Sequence, residues 1–163
     1  RGSVKGLDGL PIFEATIDVW QSDDDGFYDV QHADLEQHQA RARLRNRSDG
    51  TFDFRSIVAV PYQIPKDGPV GKMLEATGRH AWRPAHLHFM IVAPGYERLI
   101  THVFRSDGPY LESDAVFGVR STLIAEWQRH EPGMAPDGAL LEVPFFTLDY
   151  AFVLNRSIGT ASR

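Results

Sequence analysis

The sequence predicts an all-β protein, a β-sandwich with long loops. Short apolar or alternating stretches recur along its 163 residues, and clusters rich in proline and glycine separate them. Such spacing is typical of strands joined by turns, whereas only the short stretch Ser113–Arg120 favours a helix. No internal repeat or low-complexity tract interrupts the pattern, so we expect a single domain over residues 1–163.

The first two strands are predicted near the N-terminus. Gly2–Gly6 has the pattern of a strand that runs into the Asp8-Gly9 turn. Ala15, Ile17 and Val19 then alternate with larger or more polar residues. A strand at these positions would bury one face and expose the other.

Four arginines at alternate positions mark the next predicted strand, and their shared face is expected to be solvated. We expect them to form ion pairs with the acidic loop Asp23–Asp25. The Ser48-Asp49-Gly50 turn, followed by Phe52 and Phe54, predicts a hairpin with this strand. The arginines are Arg41, Arg43, Arg45 and Arg47.

Two long strands around a turn are predicted in the second half. His86–Ala93 and Leu99–Phe104 flank the Pro94-Gly95 turn, and Phe145–Leu154 predicts one long final strand. The apolar positions of Thr122–Trp127 fit a helix and a strand equally well. Clusters of proline and glycine predict loops at residues 61–69, 107–109 and 131–138.

Composition excludes several classes of protein. The chain has no cysteine, which excludes disulfides and thiolate metal sites and fits a cytoplasmic location. A net charge of −5 offers no electrostatic footprint for nucleic acid, so we expect no such partner. No apolar run reaches the length of a membrane span and no signal-peptide pattern is present, so we expect no membrane association.

The motif with the most chemical content is Arg83-Pro84-Ala85-His86-Leu87-His88. On a strand, His86 and His88 point to the same face, so both imidazoles are able to bind one metal ion. An isolated pair of this kind is more often a packed, hydrogen-bonded pair than a metal site.

The remaining ligands decide the metal, and residue type leaves two possibilities open. A carboxylate or a third histidine, from Glu14, Asp18 or His102, would indicate zinc or Fe(II). Tyrosinates would instead stabilise Fe(III), because hard anionic oxygen donors favour the more highly charged ion. Tyr28 and Tyr62 each follow a predicted strand, where loops display ligands, although a lone tyrosine is usually an ordinary packing residue.

Together the motifs resemble the intradiol ring-cleaving dioxygenases, which open a catechol between its two hydroxylated carbons. Tyr28, Tyr62, His86 and His88 have the order and spacing of that family's two-tyrosine, two-histidine iron ligands. The similarity covers nearly the whole chain. The segments that carry it are residues 18–21, 26–28, 57–62, 78–88, 93–96, 107–111 and 146–150.

The resemblance implies a catalytic iron-binding β-sandwich domain in which these four residues hold Fe(III). It implies a catecholic substrate and O2, whose two atoms are inserted to give a muconate-type diacid. Tyr62 would leave the iron when substrate binds and take up a phenolic proton. Arg83 would stabilise negative charge on the ring with its fixed donor fork; otherwise it is a surface arginine paired with an aspartate.

Within the family, several segments are most similar to hydroxyquinol 1,2-dioxygenases, with catechol 1,2-dioxygenases as the second choice. Catechol enzymes typically carry glutamine at the position of His102. We expect His102 either to bind substrate or to pack under a loop. The resemblance implies that intact members form homodimers through a helical N-terminal domain, which we expect to be absent from this chain. The hydroxyquinol-like segments are residues 20–21, 26–31, 67–71 and 101–104.

Two other interpretations stay open. A transthyretin-like β-sandwich binding module without catalysis would have scattered ligands and no need for Arg83. A different metalloenzyme, such as a cupin-type Fe(II) dioxygenase or a zinc hydrolase, would need a carboxylate beside the histidine pair. That alternative would leave Tyr28 and Tyr62 unused.

Overall fold

The computed structural model describes residues 1–157 and confirms the all-β prediction. It has one α-helix, α1 (Pro69–Ala76), and 3-10 turns at Asp29–Gln31 and Ser121–Leu123. No helix within this range is long and apolar enough to cross a membrane. The strands are β1 (Gly2–Gly6), β2 (Thr16–Trp20), β3 (Arg41–Arg45), β4 (Thr51–Phe52), β5 (Tyr62–Gln63), β6 (Trp82–Arg83), β7 (His86–Val92), β8 (Leu99–Arg105), β9 (Ile124–Ala125), β10 (Gln128–His130), β11 (Gly133–Met134), β12 (Leu140–Leu141), β13 (Phe145–Thr147) and β14 (Tyr150–Leu154).

Two sheets pack face to face as a sandwich. The larger sheet has the order β3-β2-β7-β8-β9, and all its neighbours are antiparallel except β8 and β9. The smaller sheet has the order β14-β1-β4, in which β1 runs parallel to β14 and antiparallel to β4. The remaining strands form the two-stranded ribbons β5-β6, β10-β13 and β11-β12.

The hydrophobic core lies between the two sheets. Ile17, Phe89 and Ile91 contribute to it from the larger sheet, and Phe52 and Phe152 from the smaller one. The rings of Phe89 and Phe152 pack with their centroids 4.8 Å apart. Because side chains alternate along a strand, the opposite face of β7 is free to carry polar groups.

Several strands lie where the sequence predicted them. β1 and β2 are confirmed, and β7 and β8 form the predicted antiparallel hairpin around Pro94-Gly95. The ambiguous stretch Thr122–Trp127 begins in a 3-10 turn and continues into β9. Two of the predicted loops, residues 61–69 and 131–138, each contain a two-residue strand.

The predicted hairpin between the arginine strand and Phe52 is wrong. β4 pairs with β1 of the smaller sheet, whereas β3 pairs with β2 of the larger one. The turn at Gly50 therefore carries the chain from one sheet to the other. Gly50 has φ +79°, and a Cβ there would lie 2.7 Å from the carbonyl oxygen of Val4, so only glycine fits this approach.

The helix predicted at Ser113–Arg120 is also wrong. This segment forms turns and extended chain. The buried carboxylate of Asp114 accepts hydrogen bonds from the amides of Val116 and Gly118, and such local side-chain bonds compete with a helix. The helix lies instead at Pro69–Ala76, where Pro69 begins the first turn.

Two further expectations are corrected by strand pairing. The long final strand Phe145–Leu154 is two strands, because β13 pairs with β10 and β14 with β1. The arginine strand β3 is solvated as predicted, but its partners do not come from Asp23–Asp25; the register with β2, for example, places Asp18 opposite Arg43. The ion pairs are Arg41–Asp29, Arg43–Asp18 and Arg47–Asp53.

Candidate metal centre

Strand β7 places both histidines of the His-x-His motif on the face turned away from the core. Leu87 and Phe89 are buried in the core, and the side chains of His86 and His88 alternate with them. The neighbouring strands add Trp20 and His102 directly opposite His88. The His88 ring stacks on Trp20 with centroids 4.9 Å apart and contacts the His102 ring at 4.5 Å.

Two tyrosines reach the same place from outside the larger sheet. Tyr28 precedes the 3-10 turn Asp29–Gln31, and Tyr62 begins β5. The Tyr28 Oη lies 3.0 Å from the Tyr62 Oη and 2.8 Å from His88 Nε2. His86 Nε2 lies 3.0 Å from His88 Nε2. The structure therefore brings together the four residues that the resemblance suggested as ligands.

Three of the distances between these four donor atoms suit ligands of one metal ion. Nitrogen and oxygen ligands lie about 2.0–2.2 Å from a first-row metal ion such as zinc, so two ligands at right angles on one ion lie about 3 Å apart. The three contacts that link the four donors are 2.8–3.0 Å long. Two phenols and two imidazoles form a hard donor set without thiolate, which suits a highly charged ion such as Fe(III).

Both imidazoles are held in the neutral, metal-binding form. His86 Nδ1 lies 2.6 Å from the Pro84 carbonyl oxygen, so an Nδ1–H donated there leaves the Nε2 lone pair free. Burial, together with the charge of Arg83, lowers the pKa of His86 to about 3. Burial and the neighbouring rings of His86 and His102 lower the pKa of His88 to about 2.

Burial has the opposite effect on the Tyr28 phenol. Loss of solvent and the adjacent Tyr62 raise the pKa of Tyr28 above its usual value, because both disfavour the phenolate. A bound cation reverses that preference, since metal binding requires deprotonated ligands and releases their protons. The local chain is held by Gln31, whose side-chain oxygen accepts the Tyr28 amide at 2.8 Å.

Arg83 is buried beside the donor cluster formed by Tyr28, Tyr62, His86 and His88. It is therefore not the surface arginine of the alternative interpretation. The residue is 4% exposed, and Nη1 lies 3.3 Å from the Tyr62 Oη and 3.1 Å from His86 Nε2. Its other edge donates to Asp114, a residue that sequence reasoning missed. Burial of an arginine implies a carboxylate partner, but no local pattern says which of the chain's acids it is.

The alternative ligands fare differently. Asp18 is paired with Arg43 at 2.7 Å, and Glu14 is exposed. Ligand nitrogens of His86, His88 and His102 lie within 4.8 Å of one another, and within residues 1–157 no carboxylate joins them. The His102 side chain has no hydrogen bond to any described residue, whereas the Tyr28 Oη lies 2.8 Å from His88 Nε2 and 3.0 Å from the Tyr62 Oη. A zinc or Fe(II) site with a carboxylate ligand therefore has no support.

Comparison with known proteins identifies relatives of this chain. A family model described as Dioxygenase matches residues 1–156. The chain is 54% identical over 157 residues to the 6-chlorohydroxyquinol 1,2-dioxygenase of Cupriavidus pinatubonensis, covering 96% of this chain and 53% of that protein. It is 44% identical over 157 residues to the hydroxyquinol 1,2-dioxygenase of a Rhizobium species, covering 95% and 53%. The chain thus spans about half the length of the curated relatives it matches.

A solved structure shares the fold. The hydroxyquinol 1,2-dioxygenase of Pseudomonas putida matches with a TM-score of 0.87 and 46% identity, covering 96% of this chain and 55% of that chain. The match therefore covers almost all of this chain and about half of that one. By sequence and by fold, the chain belongs to the intradiol ring-cleavage dioxygenase family.

Proposed function

We propose that this chain is the catalytic part of a non-haem Fe(III) intradiol dioxygenase. It uses O2 to open hydroxyquinol (benzene-1,2,4-triol) or a related catechol between the hydroxylated carbons, giving a muconate-type diacid. The observation that carries the proposal is the cluster of two phenol and two imidazole donors linked by contacts of 2.8–3.0 Å. Family membership supports the same reaction class.

In this proposal Tyr28, Tyr62, His86 and His88 hold the iron. When bound, Fe(III) supplies a Lewis acid that orients the two diol oxygens and draws electron density from the ring. The neutral imidazoles of His86 and His88 would hold the ion through their Nε2 atoms, which lie 3.0 Å apart. As a tyrosinate, Tyr62 would take up a proton from the incoming diol at its Oη and become a neutral phenol. Arg83 Nη1 lies 3.3 Å away, where it can donate to this oxygen in either state.

The chemical step needs a positive group fixed before charge develops. Arg83 is such a group, because its guanidinium is buried, always charged and already oriented toward the cluster. A preorganised donor in a site sheltered from water stabilises negative charge more than a solvated one. We assign Arg83 to stabilising the carbanion character of the ring and to binding substrate.

The first test is the visible spectrum and product of the purified, iron-loaded protein. Tyrosinate-to-Fe(III) charge transfer should colour it red to burgundy, and incubation with a diol under O2 should give the ring-opened diacid. His86→Ala or His88→Ala should lose iron and colour together. Stoichiometric iron in either variant would contradict the ligand set, and a colourless protein would favour the non-catalytic binding module.

The substrate proposal rests on His102 and on what the relatives are called. Two relatives are named hydroxyquinol or 6-chlorohydroxyquinol dioxygenases. The half-buried His102 ring lies beside His88, where it can hydrogen-bond a third ring hydroxyl. A site built for a hydroxyl discriminates strongly against its absence.

The matching measurement is kcat/KM for benzene-1,2,4-triol against catechol. We expect the intact protein to prefer the triol and His102→Gln to reduce that preference. A catechol preference in the intact protein would defeat the substrate assignment while leaving intradiol cleavage standing. An unchanged ratio in the variant would remove His102 as the selector.

For the intact protein we also propose a homodimer in the cytoplasm. The family resemblance supports the dimer, and the lack of cysteine fits a reducing compartment. Sedimentation of the full-length protein, and fractionation of cells that express it, test the two points separately.

A further inference from the structure

A buried carboxylate that the proposed reaction does not use lies behind Arg83. Asp114 is 3% exposed, and its oxygens accept from Arg83 Nε at 3.1 Å and Nη2 at 3.3 Å. The remaining Nη1 of the guanidinium faces Tyr62 and His86. One edge of the planar fork is thus bound to Asp114, and the other faces the donor cluster.

Asp114 is itself fixed by the chain around it. The amides of Val116 and Gly118 donate to its two oxygens at 3.3 and 2.8 Å. The Asp114 carbonyl accepts from Arg79 Nη2 at 3.1 Å, and the next amide, Ala115, donates to the carbonyl of Trp82 at 3.0 Å. These bonds tie the loop to the residue that precedes Arg83, so the carboxylate is a rigid anchor.

Building on the proposed function, we propose that Asp114 is a positioning residue that holds the Arg83 fork with Nη1 aimed at the cluster. A bidentate arginine–carboxylate pair fixes the guanidinium plane as well as its distance. It also compensates a charge that would otherwise be buried alone. Asp114 acts through Arg83 and does not touch the reacting atoms.

Asp114→Asn tests the assignment in the iron-loaded protein. Asparagine keeps the shape but loses the charge and turns an amide donor toward a guanidinium donor. We expect iron content and the tyrosinate band to match those of the unchanged protein, while kcat falls by about tenfold to a hundredfold, the scale of a misaligned catalytic group. The control is Asp137→Asn, which removes a similar two-bond pair with Arg55 on the surface and should leave kcat unchanged.

Gly118→Ala perturbs the same pair without changing its charge. An added Cβ would lie 3.0 Å from Arg83 Nη2 and 3.1 Å from Asp114 Oδ2, so one of the two must shift. This variant keeps both members of the ion pair, and it should also lower kcat with iron retained. It provides the measurement if Asp114→Asn fails to fold.

The decisive comparison is the double variant Arg83→Met/Asp114→Asn against Arg83→Met alone. If Asp114 works only through Arg83, the two have the same kcat, because nothing is left to position. If Asp114 is merely structural, the fold-losses in kcat of the two single variants multiply in the double variant, and that result overturns the inference. Loss of iron in Asp114→Asn also overturns it. If the iron-loaded protein without any substitution opens no diol ring, the proposed function is overturned as well. If that protein is active and the fold-losses in kcat multiply, this inference alone is overturned.

Discussion

At the scale of single residues, burial separates Arg83 from the other paired arginines. The side chain of Arg83 is 5% exposed, whereas that of Arg43, which pairs with Asp18 on the larger sheet, is 72% exposed. Exposed ion pairs are screened by water and contribute little to stability. Water screens the charge of a buried guanidinium much less, and its hydrogen bonds fix its orientation. Replacing Arg83 should therefore change the rate of the chemical step.

We predict that Arg83→Lys keeps iron and colour while kcat falls by about tenfold to a thousandfold, the scale of losing one preorganised donor. Lysine retains the charge but not the planar fork that bonds Asp114 and the cluster together. Steady-state turnover, iron analysis and the visible spectrum check this. Arg43→Lys is the matched control, and an unchanged kcat in Arg83→Lys would return Arg83 to a structural role.

The low pKa values of His86 and His88 predict how the stability of the metal-free chain responds to acid. Their pKa values are lowered to about 3 for His86 and about 2 for His88, whereas in an unfolded chain a histidine titrates near 6.5. As pH falls below about 6.5, these two histidines bind protons in the unfolded state but not in the folded state. The free energy of unfolding therefore decreases progressively toward about pH 3.

Urea denaturation of the metal-free protein between pH 7 and about pH 5.5 measures the first part of this loss, in a range that lies above the ordinary pKa values of carboxylates, about 3.9 for Asp and about 4.3 for Glu. His86→Gln/His88→Gln should have a flatter stability profile over the same range. Equal slopes for the two proteins would show that these histidines do not carry the acid sensitivity.

At the scale of elements, the loop that carries Tyr28 depends on a second buried aspartate. Asp29 accepts the amides of Val30 at 2.9 Å and Gln39 at 3.3 Å, and it pairs with Arg41 at the start of β3. These bonds close the loop between β2 and β3. The position of the Tyr28 phenol therefore follows from the anchoring of the whole segment.

We expect Asp29→Ala to weaken iron binding by about tenfold to a hundredfold, as is typical when a partner that orients metal ligands is removed. The sandwich core does not involve this loop, so the far-ultraviolet circular dichroism spectrum should stay unchanged. Competition with a chelator measures the affinity. Asp53→Ala, which removes only an exposed pair with Arg47, is the control, and equal affinity in the two variants would contradict the anchoring role.

At the scale of the whole molecule, the site depends on the packing of the two sheets. Phe89 is 2% exposed and follows His88 on β7, and its ring meets Phe52 and Phe152 of the smaller sheet. The same strand thus presents a core residue on one face and a candidate ligand on the other. Weaker packing between the two sheets should therefore disturb the positions of the candidate ligands on β7.

We predict that Phe89→Ala costs about 3–5 kcal/mol in the free energy of unfolding, the usual range for emptying a packed aromatic site. Chemical denaturation of the metal-free protein measures it. Val92→Ala, at an exposed position on the same strand, should cost far less. A small loss for Phe89→Ala would mean that the two sheets do not share one core.

The sequence by itself determined the fold class and the β7–β8 hairpin, because alternation along a strand and the turn between two strands are local patterns. The candidate ligands followed from the ordered motifs that resemble a known family, since residue type alone left other ligand sets open. Tyr28, Tyr62, His86 and His88 were all nominated before any distance was known, and their donor atoms do converge. Only the tertiary structure decided that β4 pairs with β1 and that Asp114 anchors Arg83. Both are contacts between distant parts of the chain, set by which surfaces can be buried together, and no local propensity records them.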